Sequence, residues 1–143
     1  MQRFEVWNPV AGVPDYLAGA FVVLGNSNEA TVICDGQFGN GKCLVLKFGR
    51  IEEVLVAEEF AREWASDLAA TRPGTAPLLR VLDSDWGKGS RQVATFGNTL
   101  LHFCIVSADL CVDILAPEPP AIAWAAPEAV DNLFAHAWAL GEA

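Results

Sequence analysis

The stretch Thr99–Leu115, TLLHFCIVSADLCVDIL, decides the fold because it predicts a β-hairpin with one apolar face. Successive side chains of a strand point to opposite faces, so every second residue shares a surface. The apolar face takes alternate residues from both strands: Leu101, Phe103, Ile105, Leu110, Val112 and Ile114. The opposite face carries His102, Cys104, Cys111 and Asp113. Because these residue types bind metals or act as nucleophiles and bases, this hairpin is the first place to look for a function.

The register of the hairpin depends on its turn. A two-residue turn at Ser107-Ala108 predicts that Cys104 lies opposite Cys111 and that His102 lies opposite Asp113. A loop displaced by one residue along the chain keeps the same faces but makes both pairs diagonal. A one-residue slip of the pairing would place Asp113 in the apolar core, and the cost of burying a carboxylate excludes it.

The polar face of the hairpin allows two kinds of chemistry. A nearby imidazole can activate a cysteine thiolate, with a carboxylate orienting the imidazole, which makes His102, Cys104, Cys111 and Asp113 a hypothetical catalytic set. The same four residue types can ligate zinc, but their wide spacing on a flat face suits a metal poorly. The sequence favours an outward, half-covered sheet face with a His102–Asp113 pair and two small thiols, and it predicts no metal or cofactor.

The rest of the chain is predicted to form further strands and two helices. Strands are predicted at Phe4–Trp7 (an edge strand), Ala18–Leu24, Glu29–Asp35, Lys42–Phe48, Ile51–Ala57 and Leu78–Leu82. Strands joined by such short connections are expected to be antiparallel neighbours. Cys34 and Cys43 flank one hairpin loop, where they can form a disulfide only in an oxidising environment.

Two segments have helical periodicity. In Glu58–Ala70 three large apolar residues recur every fourth position, and after Pro127 a second apolar stripe runs to the end of the sequence. A proline-rich connection at 116–126 leads to this C-terminal helix. The predicted fold is therefore a single α+β domain over 1–143, mainly an antiparallel sheet or small sandwich with a mid-chain and a C-terminal helix.

Length, composition and charge restrict the classes of function. The chain has 143 residues, of which 52% are hydrophobic, and its formal charge is −9. A charge of −9 disfavours binding to nucleic acids and to anionic membranes, and it suits a basic protein partner. No apolar run reaches the roughly 18 residues of a membrane span. The N-terminal residues do not resemble a signal peptide, so a cytoplasmic location is expected.

The loop after Leu78–Leu82 is the candidate contact patch. Asp83, Asp85 and Trp86 lie together there, in a segment expected to be a loop or a short turn of helix. An exposed tryptophan between carboxylates can anchor a basic partner. Alternatively, the indole folds back over the edge of the core.

Three stretches together resemble small uncharacterised bacterial β-rich proteins, some of which are described as immunity proteins of toxin systems. These stretches are CLVLKFGRIEEVLVA, LLRVLDSDW with its Ser84-Asp85-Trp86 loop, and LLHFCIVSADLCVDILA, within Cys43–Ala116. The resemblance implies an accessory protein that binds another protein, and it carries no catalytic residues.

Three functions follow in order of preference. The first is a non-enzymatic binding or accessory protein, of the immunity type, that meets a basic partner through Asp83, Asp85 and Trp86. The second is a small-molecule-binding protein with an aromatic-lined pocket, and the third is a Cys/His-dependent enzyme. The C-terminal helix is expected either to cap the sheet or to form a homodimer.

Overall fold

A computed structural model describes residues 3–14, 17–35, 42–58, 76–89, 99–108, 110–126 and 128–129. Within these ranges the chain forms nine strands and one short helix. The strands are β1 (Arg3–Val6), β2 (Gly19–Leu24), β3 (Ala30–Asp35), β4 (Cys43–Phe48), β5 (Glu53–Glu58), β6 (Leu78–Leu82), β7 (Leu101–Val106), β8 (Leu110–Ala116) and β9 (Ala121–Ala125). The helix, α1, is Asp85–Lys88.

The nine strands form two antiparallel sheets. The large sheet has the order β1-β6-β7-β8-β5, and the small sheet has the order β2-β3-β4-β9. All pairings within both sheets are antiparallel. The prediction of a mainly antiparallel β protein is therefore confirmed, and β1 is an edge strand as expected.

The main core lies between the two sheets. Its apolar residues come from alternate positions of both, which is the pattern of sheets packed face to face. Phe48 of the small sheet meets Phe103 of the large sheet edge-on, with ring centroids 5.5 Å apart. The predicted apolar face of the hairpin, including Ile105, Val112 and Ile114, faces this core, so that prediction is confirmed.

The large sheet is buried on its second face as well. The apolar residues on that face form a separate cluster: Phe4, Leu79, Val81, Cys104, Val106 and Cys111. This second face is the one that carries His102 and Asp113.

The expected pairing of β4 with β5 is wrong. Gly49–Glu52 carries the chain from the small sheet to the large one, because β4 already has β3 on one side and β9 on the other. Leu44, Val45 and Leu46 are buried in succession, which is characteristic of a strand covered on both faces. Strand β9 lies within the segment predicted as a proline-rich connection, after Pro117, Pro119 and Pro120.

Most of the predicted helical residues lie outside the described part of the chain. Glu58, the expected first residue of the mid-chain helix, ends β5, and the structure does not describe the rest of that helix. The C-terminal helix falls outside it too, apart from 128–129. The short helical turn expected after β6 is confirmed as α1. The described helical residues include no apolar stretch long enough to span a membrane.

Candidate functional site

The β7–β8 hairpin adopts the displaced register, so the prediction of direct pairs is wrong. Cys104 lies opposite Asp113, and Val106 lies opposite Cys111. The loop is closed by Ser107, whose hydroxyl donates to the Leu110 carbonyl (2.8 Å) and accepts from the Leu110 N–H (3.0 Å). With the 2.8 Å hydrogen bond from the Ser107 N–H to the Leu110 carbonyl, these bonds close the loop between Ser107 and Leu110, one residue further along the chain than predicted.

The predicted contact between His102 and Asp113 forms across the diagonal. Nε2 of His102 lies 2.7 Å from Oδ1 of Asp113, and Nδ1 lies 2.7 Å from Oγ of Ser84. A carboxylate can only accept, so Nε2 carries the proton and donates it to Asp113. In the neutral imidazole Nδ1 is then the acceptor for the hydroxyl proton of Ser84. Ser84, His102 and Asp113, the polar triad, form one continuous hydrogen-bonded chain.

Ser84 reaches this position because strand β6 turns sharply into helix α1. Asp83 has φ +52°, the left-handed conformation that Asp tolerates better than most residues. Ser84 follows as the N-cap of α1, and its hydroxyl accepts a 2.9 Å hydrogen bond from the N–H of Gly87. The hydroxyl thus accepts from α1 and donates to the sheet, which ties the loop to the large sheet.

The prediction of an outward, half-covered sheet face is wrong, because the polar triad is buried. His102 is 6% exposed and Asp113 is 3% exposed, while Cys104 and Cys111 have no exposed surface. Burial of these polar groups is tolerated because each has a hydrogen-bond partner. Both ring nitrogens of His102 meet Asp113 or Ser84, which makes Ser84 rather than a thiol the nucleophilic group beside the imidazole.

The candidate contact patch lies on the outside of the same turn. Asp83 and Asp85 are exposed, and Trp86 is half-buried. The indole of Trp86 meets the imidazole of His102 edge-on, with ring centroids 5.2 Å apart and planes at 77°. Trp86 therefore folds partly back onto the sheet while keeping some surface in solvent.

A cavity of about 360 Å³ opens beside the polar triad. Ser84 and His102 form part of its wall, together with Asp83, Arg80 and Lys88. The other lining residues are Val81, Leu82, Gly87, Thr99, Leu100 and Leu101. Among these residues, the imidazole is the only ring.

The second cysteine pair is divided between the faces of the small sheet. Cys34 packs in the core between the sheets, while Cys43 packs on the opposite face with Ile33 and Val45. None of the four cysteines forms a disulfide bond. Burial raises the pKa of the Cys34 thiol from 9.0 to about 12, and the neighbouring Cys43 adds to the increase.

The sequence interpretation missed Ser84 as a partner of His102. Its signal was a serine followed by an acidic residue, one residue after the end of a strand, which is a common start of a helix. That signal predicts a cap but not the face on which the cap lies. Among the described residues, His, Cys, Asp and Glu side chains form no group of three or more that could hold a metal ion.

Comparison of the chain with family models, with curated proteins and with solved structures finds no match.

Proposed function

We propose that the chain is a binding protein of the accessory or immunity type, which engages a basic protein partner in the cytoplasm. The contact patch is Asp83, Asp85 and Trp86. The observation that carries the proposal is the attachment of this exposed acidic turn to the buried polar triad through Ser84.

The attachment matters because association has to overcome the entropy of ordering a surface loop. A loop already held by hydrogen bonds in the interior loses less freedom on binding. The half-buried indole of Trp86 offers an aromatic anchor, and the two carboxylates beside it attract a cationic surface. The formal charge of −9 adds long-range attraction for the same class of partner.

The proposal also includes roles for the two helices that the sequence predicts. The mid-chain helix gives the domain its α+β character, and the C-terminal helix either caps the sheet or pairs two copies as a homodimer. Sedimentation of the protein at several concentrations tests the homodimer.

The test uses a defined basic probe, a fluorescein-labelled deca-arginine peptide, in anisotropy titrations at low and moderate salt. The double variant Asp83→Asn/Asp85→Asn is expected to bind about five- to tenfold more weakly, since each surface charge contributes a few tenths to 1 kcal/mol. Trp86→Ala is expected to weaken binding further through loss of the anchor.

The matched control is Glu118→Gln/Glu128→Gln, which removes the same charge at exposed positions away from α1. Equal weakening by both double variants would show that the peptide responds to net charge alone, and this result would contradict the proposal.

The cavity favours a second function, the binding of a small molecule. Its volume of about 360 Å³ lies within the range of ligand pockets. A fragment screen followed by amide chemical shifts tests this function. Shifts are expected at Thr99, Leu101 and Lys88, and shifts confined to other surfaces would contradict it.

A further inference from the structure

We propose that Ser84 is the nucleophile of a small esterase site, with His102 as its general base and Asp113 as the positioning residue that orients the imidazole. This proposal does not depend on the binding function of the acidic turn. It rests on the joint placement of the polar triad and the cavity, which no pattern in the sequence predicted.

The hydrogen bonds assign each group its role. Asp113 accepts the Nε2 proton at 2.7 Å, which leaves Nδ1 without a proton and 2.7 Å from the Ser84 hydroxyl. A serine hydroxyl becomes nucleophilic when an adjacent base can remove its proton during attack. In known serine triads Nε2 meets the serine and Nδ1 meets the carboxylate. Here the two ring nitrogens are exchanged, while the order serine, imidazole, carboxylate is kept.

The surroundings of the triad favour reaction over a purely structural role. Ser84 and His102 both form part of the cavity wall, so a small substrate there meets the nucleophile and its base together. The serine is held by its bond from the Gly87 N–H, and the imidazole is held by Asp113 and by the edge of Trp86. Such fixed geometry is what an intramolecular proton transfer requires.

The cavity also indicates the class of substrate. Its volume of about 360 Å³ admits only a small ester. Lys88 and Asp83 supply one charge of each sign, while the Arg80 guanidinium lies over the Phe103 ring, 6.0 Å from its centroid, on the other face of the large sheet. The lining therefore favours an uncharged ester.

The reaction balances with water as the second substrate. Oγ of Ser84 bonds to the carbonyl carbon while its proton passes to Nδ1 of His102. The bond from that carbon to the alcohol oxygen breaks, and the alcohol leaves with the proton from Nδ1. Water then repeats the attack on the acyl group, which releases the acid and restores Ser84.

The decisive experiment treats the intact protein with an alkyl fluorophosphonate and follows its mass. Attack by Ser84 forms an oxygen–phosphorus bond, displaces fluoride and passes the hydroxyl proton to His102. One adduct per chain on the Ser84 peptide is expected.

Variants separate reactivity from folding, which near-ultraviolet circular dichroism monitors for each. Ser84→Gly keeps a tolerated cap and should abolish the adduct, whereas Ser27→Ala, at an exposed turn, should leave it unchanged. His102→Gln should slow labelling at least about 100-fold. Asp113→Asn should slow it similarly, because the amide no longer enforces the required tautomer, and Asp113→Glu, which keeps a carboxylate acceptor, should restore part of the rate.

The wild-type protein alone can overturn the proposal. Absence of any adduct on Ser84 after prolonged incubation at millimolar probe would do so, even if every variant failed to fold. Labelling at an equal rate in folded His102→Gln would also overturn it.

The substrate class has its own test, the hydrolysis of phenyl acetate against 4-carboxyphenyl acetate. The uncharged ester is expected to have the higher kcat/KM, by about threefold, because the added carboxylate meets no net positive charge beside the triad, and Lys88→Gln should widen the difference. A preference for the anionic ester would overturn the assigned class while leaving the labelling result intact.

Discussion

At the scale of the residue, His102 is held by hydrogen bonds at both of its ring nitrogens. Its two ring nitrogens each have a partner at 2.7 Å, and it is nearly inaccessible to solvent. The sequence predicted its contact with Asp113, because alternation along two paired strands places both residues on one face. It did not predict Ser84, because the path of a turn after β6 depends on backbone angles that no periodicity records.

Removal of the Asp113 carboxylate should lower the stability of the folded protein. Asp113→Ala leaves the Nε2 proton of His102 without its acceptor inside the sheet and creates a small cavity. We expect the free energy of unfolding to fall by about 2–4 kcal/mol, measured by urea denaturation. Asp85→Ala, at an exposed carboxylate, should change it by less than about 1 kcal/mol. Equal losses in the two variants would contradict the structural importance of the polar triad.

The raised pKa of Cys34 predicts loss of stability in alkaline solution. The unfolded thiol ionises from about pH 9, whereas the folded thiol keeps its proton until about pH 12. Between about pH 9 and about pH 12 the folded state therefore binds more protons than the unfolded state. Its free energy of unfolding falls in this range by about 1.4 kcal/mol per pH unit. Below pH 9 this contribution is fully present, since both states keep the proton.

The measurement is the difference in alkaline slope between the wild type and Cys34→Ala in urea titrations, so that other titrating groups cancel. The slope due to this thiol should disappear in Cys34→Ala and persist in Cys43→Ala. An unchanged slope in Cys34→Ala would show that the Cys34 thiol does not resist ionisation in the folded protein.

At the scale of the element, the β7–β8 hairpin depends on a single serine in its loop. Ser107→Ala removes one hydrogen bond to the Leu110 carbonyl and leaves the Leu110 N–H without the hydroxyl. We expect the free energy of unfolding to fall by about 1–2 kcal/mol in urea denaturation. Ser27→Ala, in an exposed turn, is the control, and a loss of equal size there would contradict a special role for the loop.

Element prediction succeeded where the pattern was local. Alternating or apolar runs between turn residues predicted β2, β3, β4, β6 and the hairpin within a few residues. Prediction failed at β9, where prolines and alanines conceal a strand, and at the pairing of β4. Partner choice is decided by the total area that both sheets bury, and a short connection such as Gly49–Glu52 is long enough to change sheets.

At the scale of the whole molecule, charge is expected to oppose association at strand β5, the last strand of the large sheet within the described residues. In this strand Leu55 is 53% exposed and Val56 is 45% exposed. If two copies of β5 paired antiparallel about a centre between Leu55 and Val56, Glu53 of each copy would lie opposite Glu58 of the other. Like charges directly opposite are destabilising, and acidic residues on an edge strand prevent such association.

Neutralising these two glutamates should therefore promote self-association. Glu53→Gln/Glu58→Gln is expected to lower the concentration for dimer formation about tenfold in sedimentation velocity, since two repulsions of up to about 1 kcal/mol are removed. Glu118→Gln/Glu128→Gln makes the same change in net charge at other exposed positions. Identical sedimentation of the two double variants would show that edge pairing is not controlled at β5.

The position of β9 has a consequence for synthesis on the ribosome. Strand β4 emerges early and can pair at once with β3, but its other side is completed only by β9, after every other described strand has been made. Until then the backbone of β4 has an open side next to strongly apolar side chains, which is a template for wrong partners. Newly made chains that stop before Ala121 should therefore require a chaperone, whereas chains that extend past Ala125 should not.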